Sequence, residues 1–551
     1  MSTIYDIMRT QIYDSSLSKQ ELDRLIMQRR ELRVALRSCT YGDQNAKIYI
    51  KELIKDILLK KYDLEENRID DLIQFRNTDL LSSQDKFEII LYHYRKRFQK
   101  EALTVLIQDY QLDELKKDGF GENYYEITSD QIDAIYYQED IRLDFYDKLH
   151  IVSQRIYQLY RGNGVIDEIR DMTIDGVSAG VSGIPSNFEI EGLQNVRELP
   201  ASYDSIWIFY KGKSIHLSFL SFQSEKELVR VCKNIYRYNN PGQLSEVMGY
   251  IVNEMKDGSR VAVARPPFCE GWVLFVRKFN QELQDDIRTL ITDNNCIIPI
   301  QLMKWLIKGC QILSITGEQG AGKTTLLMSL VRYISPVYNL RVQELSFELH
   351  LRKLYPKRNI VSFRETENIN GKNGLDFAKK TDGTVNILGE VASAPVASWM
   401  VMMTQVASLF TLFTHHAKTT KDLVYSLRNA LLTDGGFHNE NAATRQVIDA
   451  VRFDIHMRKH KDGHRFIERI TEIIPCDRTI VEKVYRKNHE FASENELFAT
   501  KDIVVYENGR YLFRNQLSEG VLRQIHVHLS HAEQELFEIN CKEWEKLSEF
   551  E

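Results

Sequence analysis

At 551 residues the chain is too long for one core, and it divides into about three or four domains. With 43% hydrophobic and 27% charged residues it has the apolar content of ordinary globular domains, which excludes a disordered or fibrous chain. A net charge of -6 excludes a general nucleic-acid footprint, and seven scattered cysteines with no C-x-x-C pair exclude a zinc ribbon and point to a reducing compartment.

The predicted elements run as follows. Residues 1–150 are charged, poor in Gly and Pro, and carry apolar residues at three-and-four spacing, as in Lys19 to Arg37 and Gln84 to Gln108, so a helical N-terminal domain is expected. The first nineteen residues, MSTIYDIMRTQIYDSSLSK, lack the apolar run of a secretory signal. The basic run Tyr94 to Lys100 reads as a solvated helix face. From 151 to 282 short alternating runs appear, Ser205 to Tyr210, Ser214 to Phe219, Arg260 to Ala264 and Trp272 to Val276, which predict an α+β domain. Residues 285–475 alternate helix and strand and predict a parallel-sheet α/β domain. Its most apolar window, Trp399 to Thr414, is shorter than a membrane span and reads as a buried helix running into a buried strand. Residues 476–551 form a C-terminal extension of helices and one hairpin, Asp502 to Arg514, turning at Asn508-Gly509.

The most informative stretch is Gly317-Glu-Gln-Gly-Ala-Gly-Lys-Thr324. Its G-x-x-x-x-G-K-[ST] spacing arises by accident on the order of once in fifty chains of this length. A short buried strand, Gln311 to Thr316, precedes it and an apolar helix, Thr325 to Ile334, follows. That is the order a phosphate cradle requires. Glycines let successive N–H groups point inward at a helix N-terminus whose dipole favours anions. The expected nucleotide-binding residues are Gly317, Glu318, Gln319, Gly320, Ala321, Gly322, Lys323, Thr324 and Thr325, with Lys323 reaching the β- and γ-phosphates of ATP and Thr324 giving its hydroxyl to Mg²⁺.

A phosphate loop needs acidic and proton-handling partners. Glu390, at the end of the apolar run Asn386-Ile-Leu-Gly-Glu390, is expected to hold Mg²⁺ or orient the attacking water. Glu344 is a candidate general base, and the strand Leu412-Phe-Thr-His-His-Ala417 brings His415 or His416 to the same edge. Arg260 and Arg277, from the preceding domain, are candidates to neutralise phosphate charge.

Taken in order, these motifs make the chain similar to the type II/IV secretion-system ATPases, closest to the branch that assembles tight-adherence (Flp/Tad-type) pili. The resemblance covers residues 155 to 475. It rests on the phosphate loop, Tyr157 to Gly176, Asp257-Gly-Ser-Arg-Val261, Pro266-Pro267 and Arg277-Lys-Phe279. Further on, the matches are Glu344 to Leu349, Asn368 to Gly374, Leu388-Gly-Glu-Val391, Thr414-His-His-Ala417, Lys461-Asp-Gly-His-Arg465 and Ile470-Thr-Glu-Ile473. It implies a RecA-like P-loop domain behind a PAS-like α+β domain, a homo-hexameric ring with ATP between the two domains, and a cytoplasmic motor peripheral to the membrane. Such a motor drives an inner-membrane platform protein and, through it, pilin-like cargo, with no nucleic acid. In roles carried over, Glu390, Glu344, His416, Arg260 and Arg277 are catalytic, and Thr324 and Glu390 hold the metal.

Three departures thin the surroundings of that site: Leu345 stands where the family has aspartate, Ala392 where it has arginine, and Pro395 where it has an acid. Ala407-Ser-Leu-Phe410 also replaces a glycine-and-histidine segment. A slow or partner-activated ATPase and a non-hydrolysing ATP-binding scaffold of the same machinery are therefore the two readings, with a nucleic-acid motor a distant third.

Overall fold

The computed structural model describes residues 18–117, 123–185, 200–239, 241–279, 287–366, 369–406, 408–460, 463–476 and 497–549. Asn368, Ala407, Lys461 and Asp462 of the motifs above lie outside the described residues. The chain forms two compact units, Met1–Gln281 and Glu282–Glu551.

The first unit begins with helices Lys19–Ser38, Gln44–Lys61, Ser83–Phe98, Ala102–Asp109, Ser129–Gln138 and Phe145–Tyr160. Three of them start on capping boxes, Ser82 with Asp85, Thr128 with Gln131 and Asp144 with Asp147, in which side chain and backbone satisfy each other's first orphan donors. Strands β1 (Lys116–Lys117) and β2 (Asn123–Tyr124) make a small antiparallel ribbon. Seven strands follow in one sheet: β3 (Glu126–Ile127), β4 (Gly176–Ala179), β5 (Ile206–Tyr210), β6 (Lys213–Leu217), β7 (Tyr250–Glu254), β8 (Arg260–Ala264) and β9 (Val273–Arg277), ordered β3-β6-β5-β4-β9-β8-β7. Alternation sets its inner face, with Ile206, Ile208, Val261, Val263, Leu274 and Val276 all buried. The same core takes Phe87, Ile90, Leu106 and Ile135 from the helices, so residues on both sides of position 150 share it.

The second unit is built on nine strands: β10 (Leu313–Gly317), β11 (Leu340–Glu344), β12 (Ile360–Arg364), β13 (Val385–Leu388), β14 (Phe410–Thr414), β15 (Phe453–Lys459), β16 (Arg465–Pro475), β17 (Phe498–Glu507) and β18 (Arg510–Phe513). Their order is β12-β11-β13-β14-β10-β15-β16-β17-β18. The six from β12 to β15 pair in parallel and the last three are antiparallel. Parallel strands buried on both faces read as continuous apolar runs, as β10, β13 and β14 do. The window from Trp399 to Thr414 is helix Ala394–Val406 followed by β14, and no helix among the described residues is long and apolar enough to cross a membrane.

The hairpin β17–β18 turns at Asn508 and Gly509, both at positive φ (51° and 80°), the conformation that a two-residue turn needs to match strand twist. Helices Glu519–His528 and His531–Glu549 then pack against helix Ile297–Lys308. Trp305 Nε1 donates to Asn540 Oδ1 at 3.0 Å and Trp544 Nε1 to Gln301 Oε1 at 2.7 Å, with both indoles fully buried. The C-terminal segment thus belongs to the core of the second unit.

Candidate functional site

The site lies at the C-terminal ends of the parallel strands. β10 is buried throughout and ends at Gly317, where φ is 136° and a Cβ would stand 2.2 Å from the Met457 carbonyl oxygen on β15. No side chain fits there. Gly320 and Gly322 follow at φ of 79° and 97°, and Gly322 caps helix Lys323–Leu330 in the left-handed region. The first helical hydrogen bond runs from Leu326 N to Gly322 O at 2.9 Å, so the amides of the preceding turn have no acceptor in the helix. A Cβ on Gly320 would meet nothing within 4 Å, which leaves open space beside the loop. These features together suit an anion.

Lys323 is buried, and its Nζ donates to the carbonyls of Gly317 and Glu318, each at 2.9 Å. It also stands 3.3 Å from His416 Nδ1. An ammonium only donates, so Nδ1 accepts and Nε2 carries the ring's hydrogen. That nitrogen lies 3.2 Å from Glu390 Oε1. Three residues singled out from the sequence, Lys323, His416 and Glu390, therefore form one continuous chain. β13 ends at Leu388, so Glu390 sits two residues past the strand, on a turn held by Gly389 N to Gln343 O at 2.8 Å and Val391 N to Thr414 O at 2.9 Å.

His415 points elsewhere. Its Nδ1 bonds the Val391 carbonyl oxygen at 2.7 Å and its Nε2 the Ser426 hydroxyl at 3.0 Å, and burial lowers its pKa, so it braces the two segments as a neutral ring.

Glu344 occupies the buried end of β11. Its Oε2 accepts from the amides of Glu348 (2.8 Å) and Leu349 (2.7 Å), and a Cβ on Gly389 would lie 3.3 Å from its Cγ. The carboxylate that the sequence offers as a general base thus holds the chain after β11 and packs beside the residue preceding Glu390. Thr324 and Thr325 are half-buried on the first turn of the helix. Thr324 and Glu390 provide a hydroxyl and a carboxylate, hard oxygen donors that fit Mg²⁺ accompanying a phosphate ligand. No cluster of three or more His, Cys, Asp or Glu able to bind a metal alone occurs among the described residues.

In the first unit, Arg260 and Arg277 stand directly opposite each other on β8 and β9. Both are on the outer face of the sheet, with the Arg260 guanidinium 6.0 Å from the centre of the Phe279 ring.

One part of the site was not singled out from the sequence. Thr316 Oγ1 lies 2.6 Å from Asp454 Oδ1 and 2.9 Å from His456 Nδ1, while Thr420 donates to Asp454 Oδ2 at 2.8 Å. Asp454 is fully buried, and burial raises its pKa. It ties the residue before the phosphate loop to the helix that follows the histidines. The signal was present: Ser314 and Thr316 against Asp454 and His456 are polar residues at period two on two otherwise apolar strands.

The second unit is thus an α/β domain of mostly parallel strands, with a glycine loop, a lysine and a histidine–carboxylate pair converging at the strand ends. No family model matches the chain, and no curated protein matches it. Among solved structures it is similar to the VirB11 ATPase of the Brucella suis type IV secretion system, crystallised with sulphate, at 15% identity over 54% of this chain and 88% of that one, with a TM-score of 0.29. It is also similar to the Legionella pneumophila ATPase DotB, at 14% identity over 67% and 84% of the two chains, with a TM-score of 0.37. The pilus retraction motor PilT with bound ADP matches at 12% identity over 70% and 90%, with a TM-score of 0.39.

Proposed function

We propose that this chain is an Mg²⁺-dependent ATPase that acts as a motor of a type II/IV secretion or tight-adherence pilus system, working as a homo-hexamer on an inner-membrane platform protein that handles pilin-like cargo. The observation that carries the reading is the chain Lys323–His416–Glu390 beside a glycine loop shaped for phosphate.

The loop amides and Lys323 grip the phosphates, and Thr324 and Glu390 hold the metal, which supplies charge neutralisation on the transferring phosphoryl group. A phosphate oxygen is a stronger acceptor for Lys323 Nζ than the carbonyls it now bonds. Drawing Lys323 onto the phosphates frees His416 Nδ1 of its ammonium neighbour, so that His416 senses the terminal phosphate. Glu390 keeps the Nε2–H of His416 on Oε1 and accepts the hydrogen bond of the attacking water on its other oxygen. Glu344 keeps the segment after β11 and the Gly389–Glu390 turn in register. Arg260 and Arg277 stabilise phosphate charge in cis or trans.

The test is Mg²⁺-dependent phosphate release by the parent, Glu390→Gln and Lys323→Ala, with nucleotide binding measured on the same samples. Turnover lost in Glu390→Gln while binding persists supports the motor. Tight binding without release in the parent, even with membranes added, makes the chain an ATP-binding scaffold, the reading that Ala392 and Pro395 favour.

A further inference from the structure

The hairpin formed by β15 and β16 borders the phosphate loop. Gly317 pairs with Met457, and the strands run on until Lys459 stands directly opposite Arg465. Arg465 reaches back to the loop: a Cβ on Gly322 would lie 3.5 Å from Arg465 Cδ and 3.4 Å from Met457 Cε. Gly322 immediately precedes Lys323. A guanidinium thus stands beside the loop that the proposed function assigns to phosphates.

Two further observations set Arg465 apart from a surface arginine. Its Nε is buried and has no hydrogen-bond partner. A buried donor left unpaired costs free energy that a ligand acceptor would restore. Like charges directly opposite on neighbouring strands repel, and here Lys459 faces Arg465. Arginine's planar fork, permanently charged, matches two phosphate oxygens at once. The Arg465 stem thus lies within van der Waals reach of a Cβ at Gly322.

We propose that Arg465 binds the phosphate chain of the nucleotide from within the same subunit, as a second cation beside Lys323. This deepens the ATPase reading and rests on it. Arg465 grips and positions phosphate, while Glu390 and His416 face the reacting end. Removal of Arg465 therefore raises KM far more than it lowers kcat.

The experiment uses the full chain, with a fluorescent ATP analogue bound in the presence of Mg²⁺ and displaced by ATP or by inorganic tripolyphosphate. The variants are Arg465→Ala, Arg465→Lys and Lys323→Ala. A charged hydrogen-bonded contact is worth about tenfold to a hundredfold in affinity, so Arg465→Ala is expected to weaken ATP and tripolyphosphate alike by that factor, with Arg465→Lys intermediate. Without nucleotide the melting temperature of Arg465→Ala stays at or above that of the parent, because a buried unpaired donor has been removed. A structural arginine would lower it.

Two results overturn the proposal while leaving the ATPase reading intact. One is Arg465→Ala binding both ligands as the parent does while Lys323→Ala fails. The other is ATP weakened with tripolyphosphate unchanged, which would assign Arg465 to base or sugar. A parent that binds no nucleotide refutes the ATPase reading itself, and this inference with it.

Discussion

Glu344 separates two roles that one carboxylate can play, support or proton transfer. Its Oε2 accepts two amides, and Leu349, which carries one of them, is 0% exposed. Glu344→Ala leaves both N–H groups without that acceptor, at about 1–3 kcal/mol each, so roughly 4 kcal/mol in total is expected. Glu344→Gln keeps a carbonyl oxygen in the same place and loses only the charge assistance, so about 1 kcal/mol is expected. The assay is hydrogen exchange at the amides of residues 348 and 349, which reports local opening without assuming that a two-unit chain unfolds in one step. Protection falls by about a thousandfold in Ala and by about fivefold in Gln, since about 1.4 kcal/mol is a factor of ten. Phosphate release is measured in parallel, and Glu344→Gln is expected to keep most of it. If Gln abolishes release while amide protection and nucleotide binding match the parent, the carboxylate works on the attacking water and the supporting role is refuted.

Burial, and after it the charge of Arg469, hold His456 down at about 4, against an ordinary value of 6.5. The unfolded chain therefore takes up a proton that the folded chain refuses. Stability falls as pH drops from 6.5 toward 4, by at most about 3 kcal/mol, and His456→Gln should flatten that slope in urea unfolding at several pH values. Gly317→Ala meets the Met457 carbonyl oxygen at 2.2 Å, whereas Gly320→Ala meets nothing within 4 Å. Thermal melts should show Gly320→Ala losing about 1 kcal/mol for its left-handed φ and Gly317→Ala losing more, with nucleotide binding abolished only in Gly317→Ala. Trp544 is fully buried on helix Ile297–Lys308, so Trp544→Ala should destabilise the second unit by about 3–5 kcal/mol in denaturant. A loss below about 1 kcal/mol would detach the C-terminal helices from that core.

The phosphate loop was legible in the sequence because its chemistry is local: three glycines, a lysine and a hydroxyl within eight positions need no knowledge of the rest of the chain. The strand carrying the histidines was legible for the same reason. What escaped depends on where distant segments return. The hairpin at Asn508-Gly509 follows from its two turn residues, yet nothing local says that β17 will pair with β16 and lengthen the sheet. A helical pattern up to residue 150 looks self-contained, but its apolar face packs on strands that come later. That the chain from Ser346 to Leu349 folds back onto the Glu344 carboxylate is likewise a tertiary event with no local signal. Asp454 and His456 were visible as polar residues in an apolar strand and lacked only their partners on β10.

Ala392 and Pro395 follow Glu390, outside the contacts that join Lys323, His416 and Glu390, so those three keep their arrangement. Without nucleotide that arrangement is self-satisfied: the lysine bonds its own loop, the histidine lies between a donor and a carboxylate, and the carboxylate faces an N–H group. A ligand must compete with these bonds before any catalytic geometry forms, and only one that can draw Lys323 away does so, which favours a phosphate chain over a neutral molecule. Behind the loop, Asp454 links Thr316 to Thr420, so one buried carboxyl group joins the residue before the loop to the helix after the histidines.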